Sequence, residues 1–524
     1  MDDVISPAGK AVGERSDARF ALAITAAFLA CGIVSIVFHE PWRDEAQGWL
    51  LARDSTGLGT LLRNCRYEGV PVVWHLLLMP LTRVGWLPLM SALNLAFAAG
   101  AVFLFARFFP SDRVIRALFA FGYLPLYEWG TVARNYSVGL FFLFLFVVLY
   151  RERRPILQGA ALAVAANTSI HAAIVAAGAL ALLVVLAASP FDEGTKGRSR
   201  SAFRIGLCLA ATGLLLGILQ SIPPFDVDWS LLRPDDTHLG RLRSVLYSFE
   251  VGLAPFLDWW FASVPSLRSP GLRMMFVALG AFSTGAFAIT VAAYLARRRS
   301  LWIFVASSVT ALAGLFFFAL WRGPRHAGFF FVTALIALWL APFFPERQWP
   351  EGPVSRGIAR IERAMAPALR LVLVLHFLAG GCAVFLEATT VFSGARATAT
   401  LMRQQHLAEL PVVIDPDFLA SSIVAHLDLR SAYYPNVDRW GSFARWSQHL
   451  RGGAQPAADD GLVFDRALAL AGASDVVVVL NRPADESILL RAAAVLVGSC
   501  SADVVLDENY WIYRIPRKKY PQGS

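Results

Sequence analysis

Long apolar runs separated by short polar gaps fill the first three quarters of the chain. A helix needs about 20 apolar residues to cross a bilayer, and eleven runs approach or reach that length: 20–38, 86–106, 115–129, 137–150, 156–168, 170–188, 203–222, 272–296, 301–320, 327–344 and 368–386. Runs 156–168 and 170–188 meet at Asn167-Thr168-Ser169 and read as a helical hairpin. Stretches 70–85 and 242–264 are also apolar, but the second carries Glu250 and Asp258, which sit poorly in hydrocarbon. Both are expected to lie along the membrane surface as amphipathic helices. From residue 387 the pattern shortens. Segments 411–415 and 475–480 read as strands, 418–427 and 487–497 as helices, and 504–506 with 510–515 as a closing hairpin. Strands alternating with helices predict a small α/β domain.

The expected fold is a polytopic α-helical membrane protein of about 11 transmembrane helices, followed by a small soluble α/β domain at the C-terminus. The divisions are a polar tail 1–19, a helical domain 20–386 whose first long loop is 39–85, and the tail domain 387–524. No small-residue cleavage site closes the first run, so it reads as an uncleaved anchor.

The arginines supply an orientation, because short cytoplasmic loops are enriched in Lys and Arg. With an inner N-terminus, the inner gaps hold Arg107, Arg113 and Arg116; Arg151, Arg153 and Arg154; Lys196 and Arg204; Arg297, Arg298 and Arg299; and Arg347 through Arg363. Loops 39–85, 130–136, 167–171, 223–270 and 321–326, and the tail domain, then share the outer face.

Composition agrees: 56% of the 524 residues are hydrophobic and 16% charged, against about 25% charged in soluble proteins. The net charge of +9 is accounted for by the inner gaps and carries no nucleic-acid signal. The five cysteines have no CxxC spacing, which argues against a zinc site or a disulfide framework. No Gly-rich phosphate loop opens a helix of the tail domain, which removes support for nucleotide binding.

The candidate chemistry lies in the outer loops. Five ionisable residues, His39, Glu40, Arg43, Asp44 and Glu45, directly follow the first run. The same loop continues through Glu68, Pro71 and His75; later outer turns carry Ala133-Arg134-Asn135-Tyr136-Ser137 and Arg322 with Arg325-His326. In these motifs, their order and their shared side, the first 345 or so residues resemble the GT-C glycosyltransferases, especially bacterial relatives of the protein O-mannosyltransferases and of the lipid A aminoarabinose transferase. One departure is Val70-Pro71-Val72, where those relatives usually carry a doubled proline. It leaves the donor and acceptor open.

The resemblance implies an inner-membrane enzyme that moves a sugar from a polyprenyl-phosphate carrier to a lipid, glycan or protein acceptor on the periplasmic face. Asp44 would be the general base, with Glu45 orienting it or the acceptor. Arginine binds phosphate oxygens through two parallel N–H donors and keeps its proton, so Arg134, Arg322 and Arg325 would meet the leaving phosphate. Each of them also suits ordinary anchoring to lipid headgroups, and Arg322 and Arg325, beside Gly323-Pro324, also suit a structural turn. Glu68, His75, Tyr136, His171 and His326 complete the expected substrate-binding set. Some family members use a divalent metal ion, for which Glu68, His75, His171 and His326 are the available ligands, though no spacing among them is diagnostic.

Asp226, Asp228 and Trp229 could floor a sugar site, while Trp229, Trp259 and Trp260 equally fit an interfacial aromatic belt. Asp415, Asp417, Tyr433 and Tyr434 of the tail domain could help hold an acceptor. Two other classes compete: a transporter or flippase of a lipid-linked glycan, and a non-catalytic scaffold with the same body. A transporter typically shows an internal repeat, and none is found.

Overall fold

The computed structural model describes residues 7–188, 199–227, 237–255, 269–318, 323–348, 350, 352–447, 457–472 and 474–517. Each of the eleven apolar runs is helical over most of its described length. In chain order the helices of the body are α1 (Pro7–Phe38), α2 (Arg43–Arg53), α3 (Leu58–Asn64), α4 (Val73–Thr82), α5 (Pro88–Phe108), α6 (Arg113–Ala120), α7 (Tyr136–Arg151), α8 (Pro155–Ala166), α9 (Ile170–Ala188) and α10 (Arg200–Ser221). They continue with α11 (His238–Leu253), α12 (Pro270–Ala296), α13 (Arg299–Phe318), α14 (Pro324–Leu340), α15 (Pro353–Arg363) and α16 (Met365–Thr389). Among the described residues, eight helices are long and apolar enough to cross a membrane, and α7 and α8 are shorter apolar helices beside them.

The run at 115–129 is not one helix. Gly122 is extended, and Pro125, which lacks an N–H, stands in a separate π-helical turn, Tyr123–Glu128, that is buried throughout. Neighbouring helices approach closely where small residues meet, which is how apolar helices pack without a hydrophobic driving force between them. A Cβ on Gly213 of α10 would lie 2.3 Å from the Ala163 side chain of α8.

Segment 242–264 departs from its expected place on the surface. Its described part, α11, packs against α12, α13 and α14. The reason is a fourfold small-residue face, Gly240, Ser244, Ser248 and Gly252, all buried. A Cβ on Gly252 would stand 2.1 Å from the Ala327 carbonyl, and the Leu253 carbonyl accepts from His376 Nε2, halfway along α16, at 3.0 Å. The helix therefore dips into the bundle.

The two ends of the bundle differ in chemistry. At one end Arg116 pairs with Asp17 at 3.3 Å, Arg370 with Asp112 at 2.6 Å, and Arg297 with Glu362 at 3.4 Å. At the other lie α2, α4, the α8–α9 turn and the tail domain.

The tail domain is a six-stranded sheet in the order β3-β2-β1-β4-β6-β5, with β1 Val412–Asp415, β2 Ala432–Tyr434, β3 Arg439–Gly441, β4 Val476–Leu480, β5 Val495–Cys500 and β6 Tyr510–Ile515. β1 runs parallel to β2 and β4, while the outer pairings are antiparallel. The central β4 is buried along its whole length, as its unbroken Val-Val-Val-Val-Leu run requires of a strand covered on both faces. One face packs on α19 (Asp460–Leu470, after α17 Ala395–Gln404 and α18 Ala420–Leu427) and α20 (Glu486–Ala492). The opposite face, through Val412, Ile414, Val477 and Val479, shares a core with Ile423 of α18, Trp49 and Leu50 of α2, and Trp74 of α4. Segment 487–497 is thus only partly helical: Ala493 takes a left-handed conformation with φ 49°, α20 stops, and β-branched Val495 opens β5. β6 lies between β4 and β5, and 504–506 forms no strand. All five cysteines are free thiols.

Candidate active site

The turn between α1 and α2 presents Asp44 and Glu45 in opposite directions. Both stand in the first turn of α2, where the helix dipole favours carboxylates, with Trp42 as the extended N-cap. Glu45 points inward and is fully buried. Its Oε1 accepts from the Ala133 amide at 2.6 Å. Its Oε2 lies 2.8 Å from His39 Nε2 and 3.3 Å from the Trp42 amide. The other nitrogen of His39 is 2.9 Å from Glu387 Oε1, and Glu387 Oε2 accepts from the Tyr127 hydroxyl at 2.6 Å. A buried imidazole normally loses its proton, but the two carboxylates outweigh that desolvation and hold His39 well above its ordinary value. As an imidazolium it donates from both nitrogens. One buried chain thereby ties the start of α2, the Ala133 turn, the π-helical turn and the end of α16.

Asp44 points outward. Its side chain keeps 37% of its surface, whereas that of Glu45 keeps none, so Asp44 is the solvent-accessible member of the pair. Arg134 Nη1 lies 3.3 Å from Asp44 Oδ2 and donates to the Asp44 carbonyl at 2.6 Å. Beside them, Gln47 Nε2 donates to Glu68 Oε1 at 2.9 Å. Desolvation pushes Glu68 up to about 7; Asp44 adds to the shift, while Gln47 and Arg134 oppose it. His75 is buried on α4.

Gln47 also ties the site to the tail domain. It donates to the Ala444 carbonyl at 2.9 Å and accepts from Ser421 Oγ at 2.7 Å. Around it, the Arg43 amide donates to Glu508 Oε1 at 2.9 Å, and the Arg43 side chain pairs with Asp507 at 2.7 Å. Burial raises Glu508 to about 7.

A second group closes the other side. Arg325 pairs with Glu128 at 3.4 Å, both nearly buried, and its guanidinium stands 5.4 Å from the centre of the Trp42 ring, a cation–π distance. Glu128 also accepts from Tyr123 at 2.9 Å. His326 stacks on His171 with ring centres 4.9 Å apart, and Tyr136 meets His326 edge-on at 5.3 Å.

The structure thus gathers Asp44, Glu68, Arg134 and Arg325 around the start of α2, with Tyr136, His171 and His326 packed together beside Arg325. Arg322, Asp228, Trp229, Trp259 and Trp260 lie outside the described residues. Asp226 accepts from the Tyr67 hydroxyl at 3.0 Å and from Ser447 at 2.7 Å, joining the first loop to the tail domain. Asp415 pairs with Arg482 at 3.0 Å, Asp417 accepts from Asn436 at 2.9 Å, and Tyr433 donates to Asp438, all within the tail domain. Among the described residues no three His, Cys, Asp or Glu side chains converge as a metal ligand set; Glu68, His75, His171 and His326 do not fit one.

His39, Gln47, Glu128 and Glu387 are prominent in the site yet carry no role in the sequence reading. Glu128 and Glu387 had a signal: each is a carboxylate within or at the end of an apolar run, and an acid there is expensive unless paired.

No protein-family model matches the chain, and no curated protein matches it. Among solved structures the likeness is to ArnT. ArnT from Cupriavidus metallidurans in the apo state superposes with a TM-score of 0.50 at 14% identity, covering 94% of this chain and 98% of that one. The structure of ArnT bound to undecaprenyl phosphate gives a TM-score of 0.48 at 14% identity, covering 96% and 99%. The likeness to the apo structure is one of fold, and in fold it bears out the expected resemblance, a helical body with a small C-terminal sheet domain.

Proposed function

We propose that this protein is a membrane glycosyltransferase that moves a sugar from a polyprenyl-phosphate carrier to an acceptor on the periplasmic face of a bacterial inner membrane. The observation that carries the reading is the accessible Asp44 carboxylate held against the Arg134 guanidinium where the first loop meets the helical body. The ArnT-like fold supports the reaction class, and the donor class follows ArnT, which binds undecaprenyl phosphate.

The acceptor's nucleophilic atom attacks the anomeric carbon and its proton passes to Asp44, a step a positioned carboxylate accelerates by about 10²–10⁴-fold. The bond from that carbon to the phosphate oxygen breaks, and the electron pair leaves on the polyprenyl phosphate. Arg134 and Arg325 meet the growing charge on that phosphate, with Arg322 as a third candidate. The incoming phosphate competes for Arg134 and frees the Asp44 carboxylate to act as base. Glu45 positions Asp44 from beneath through the His39 chain. Glu68, His75, Tyr136, His171 and His326 line the sugar and acceptor side.

The test is a panel of radiolabelled polyprenyl-phosphate sugars given to the purified protein in nanodiscs, with release of polyprenyl phosphate as the readout. At least one donor is consumed, and Arg134→Ala and Arg325→Ala raise its KM tenfold or more. A protein that consumes no donor of the panel under any acceptor would overturn the reading.

A further inference from the structure

The end of the bundle opposite the tail domain carries a cavity of about 550 Å³ lined by Arg297, Arg356, Ala359, Arg360, Glu362 and Arg363. Four guanidinium groups face one carboxylate, and that carboxylate is already engaged: Glu362 lies 3.4 Å from Arg297 and 3.8 Å from Arg298. Among the described residues no carboxylate pairs with Arg356, Arg360 or Arg363. These three fall at i, i+4 and i+7 on α15 and so share one face. Like charges at that spacing destabilise a helix, so the face is short of negative charge.

The other side of α15 says where the cavity sits. Val354, Ile358 and Ile361 repeat at i, i+4 and i+7 on the opposite face; Val354 and Ile361 are exposed, and no residue of the helix is buried. A helix with a bare apolar face and a cationic one lies in the membrane interface, and α15 stands between the apolar helices α14 and α16. Its arginines are thereby at the depth of lipid phosphates, with Arg297, at the end of α12, on the facing wall.

We infer that this cavity is a binding site for the phosphate of an anionic phospholipid headgroup, held by Arg356, Arg360 and Arg363 from α15 and by Arg297. Guanidinium binds phosphate oxygens through paired donors, and basic pockets beside membrane helices recognise anionic headgroups. The site is remote from Asp44 and independent of the reaction proposed above.

Delipidated, detergent-solubilised full-length protein is titrated with short-chain phosphatidylglycerol, short-chain phosphatidylcholine and inorganic phosphate, with lipid adducts counted by native mass spectrometry and thermal unfolding followed in parallel. Phosphatidylglycerol is expected to bind at least tenfold tighter than phosphatidylcholine and to raise the melting temperature. Arg360→Ala/Arg363→Ala removes that preference, Arg360→Lys/Arg363→Lys restores part of it, and Arg154→Ala, in a different basic turn, leaves it intact. Equal binding of the two lipids, or a preference untouched by Arg360→Ala/Arg363→Ala, would overturn the site. Inorganic phosphate binding as tightly as phosphatidylglycerol, with the same arginine dependence, would overturn the lipid as its source.

Discussion

His39 holds two buried carboxylates apart, and its removal leaves them facing each other without a counter-charge. Breaking a buried ion pair by deleting one partner costs about 3–5 kcal/mol. His39→Ala is therefore expected to lower the thermal unfolding temperature sharply, whereas the exposed His406→Ala is expected to be neutral. The same residue gives stability a pH dependence. The fold keeps His39 protonated to higher pH than the unfolded chain does, so its contribution is complete below the ordinary imidazole value of 6.5, declines as pH rises, and is gone above about 10. Thermal melts of wild type and His39→Ala should converge toward the alkaline end of that window; a constant gap across it would contradict the assignment. Glu68 makes a second, catalytic prediction. Raised to about 7, it ionises beside Asp44 near neutral pH and then repels the donor phosphate, so the donor KM is expected to rise as pH passes through about 7. Glu68→Gln should abolish that rise, and a pH–KM profile of the variant matching wild type would remove Glu68 from the site. Of these residues, Asp44 and Arg134 were legible in the sequence because they fall in short polar gaps on one side. His39, Glu128 and Glu387 were not, because their meaning is in pairings between segments as far apart as residues 39 and 387.

At the scale of elements, apolar run length found each of the eight helices that are long and apolar enough to cross a membrane among the described residues, but not how each one sits. The break in 115–129 is written in Gly122 and Pro125, and the descent of α11 in its fourfold repeat of Gly240, Ser244, Ser248 and Gly252; both are spacing signals inside runs that composition alone treats as uniform. Such faces specify close approach, so enlarging them is costly. Gly213→Leu would drive a side chain into Ala163, 2.3 Å from where its Cβ must stand, and overpacking of this kind costs about 1–3 kcal/mol. A lowered melting temperature for Gly213→Leu is expected, with little change for Gly314→Leu, where a Cβ meets nothing within 4 Å. In the tail domain the α/β pattern was legible, while the pairing of β6 with β5 depended on where α20 stops.

For the whole molecule, the ion pairs of Arg116, Arg297 and Arg370 stand at the end of the bundle opposite the tail domain. In a variant lacking the five native cysteines, a membrane-impermeant thiol reagent applied to intact spheroplasts is expected to label His406→Cys on the tail domain. Arg154→Cys should react only after permeabilisation, and the reverse pattern would invert the proposed orientation. The tail domain does more than face that side: through Gln47, Arg43 and Asp226 it holds the loop that carries Asp44. The most direct measurement compares wild type with Asp44→Asn, using a donor that wild type consumes, for both donor binding and single-turnover sugar transfer. The expected result is donor affinity within a few-fold of wild type and transfer slowed at least 100-fold. Transfer at the wild-type rate in Asp44→Asn would contradict the assignment of Asp44 as the base.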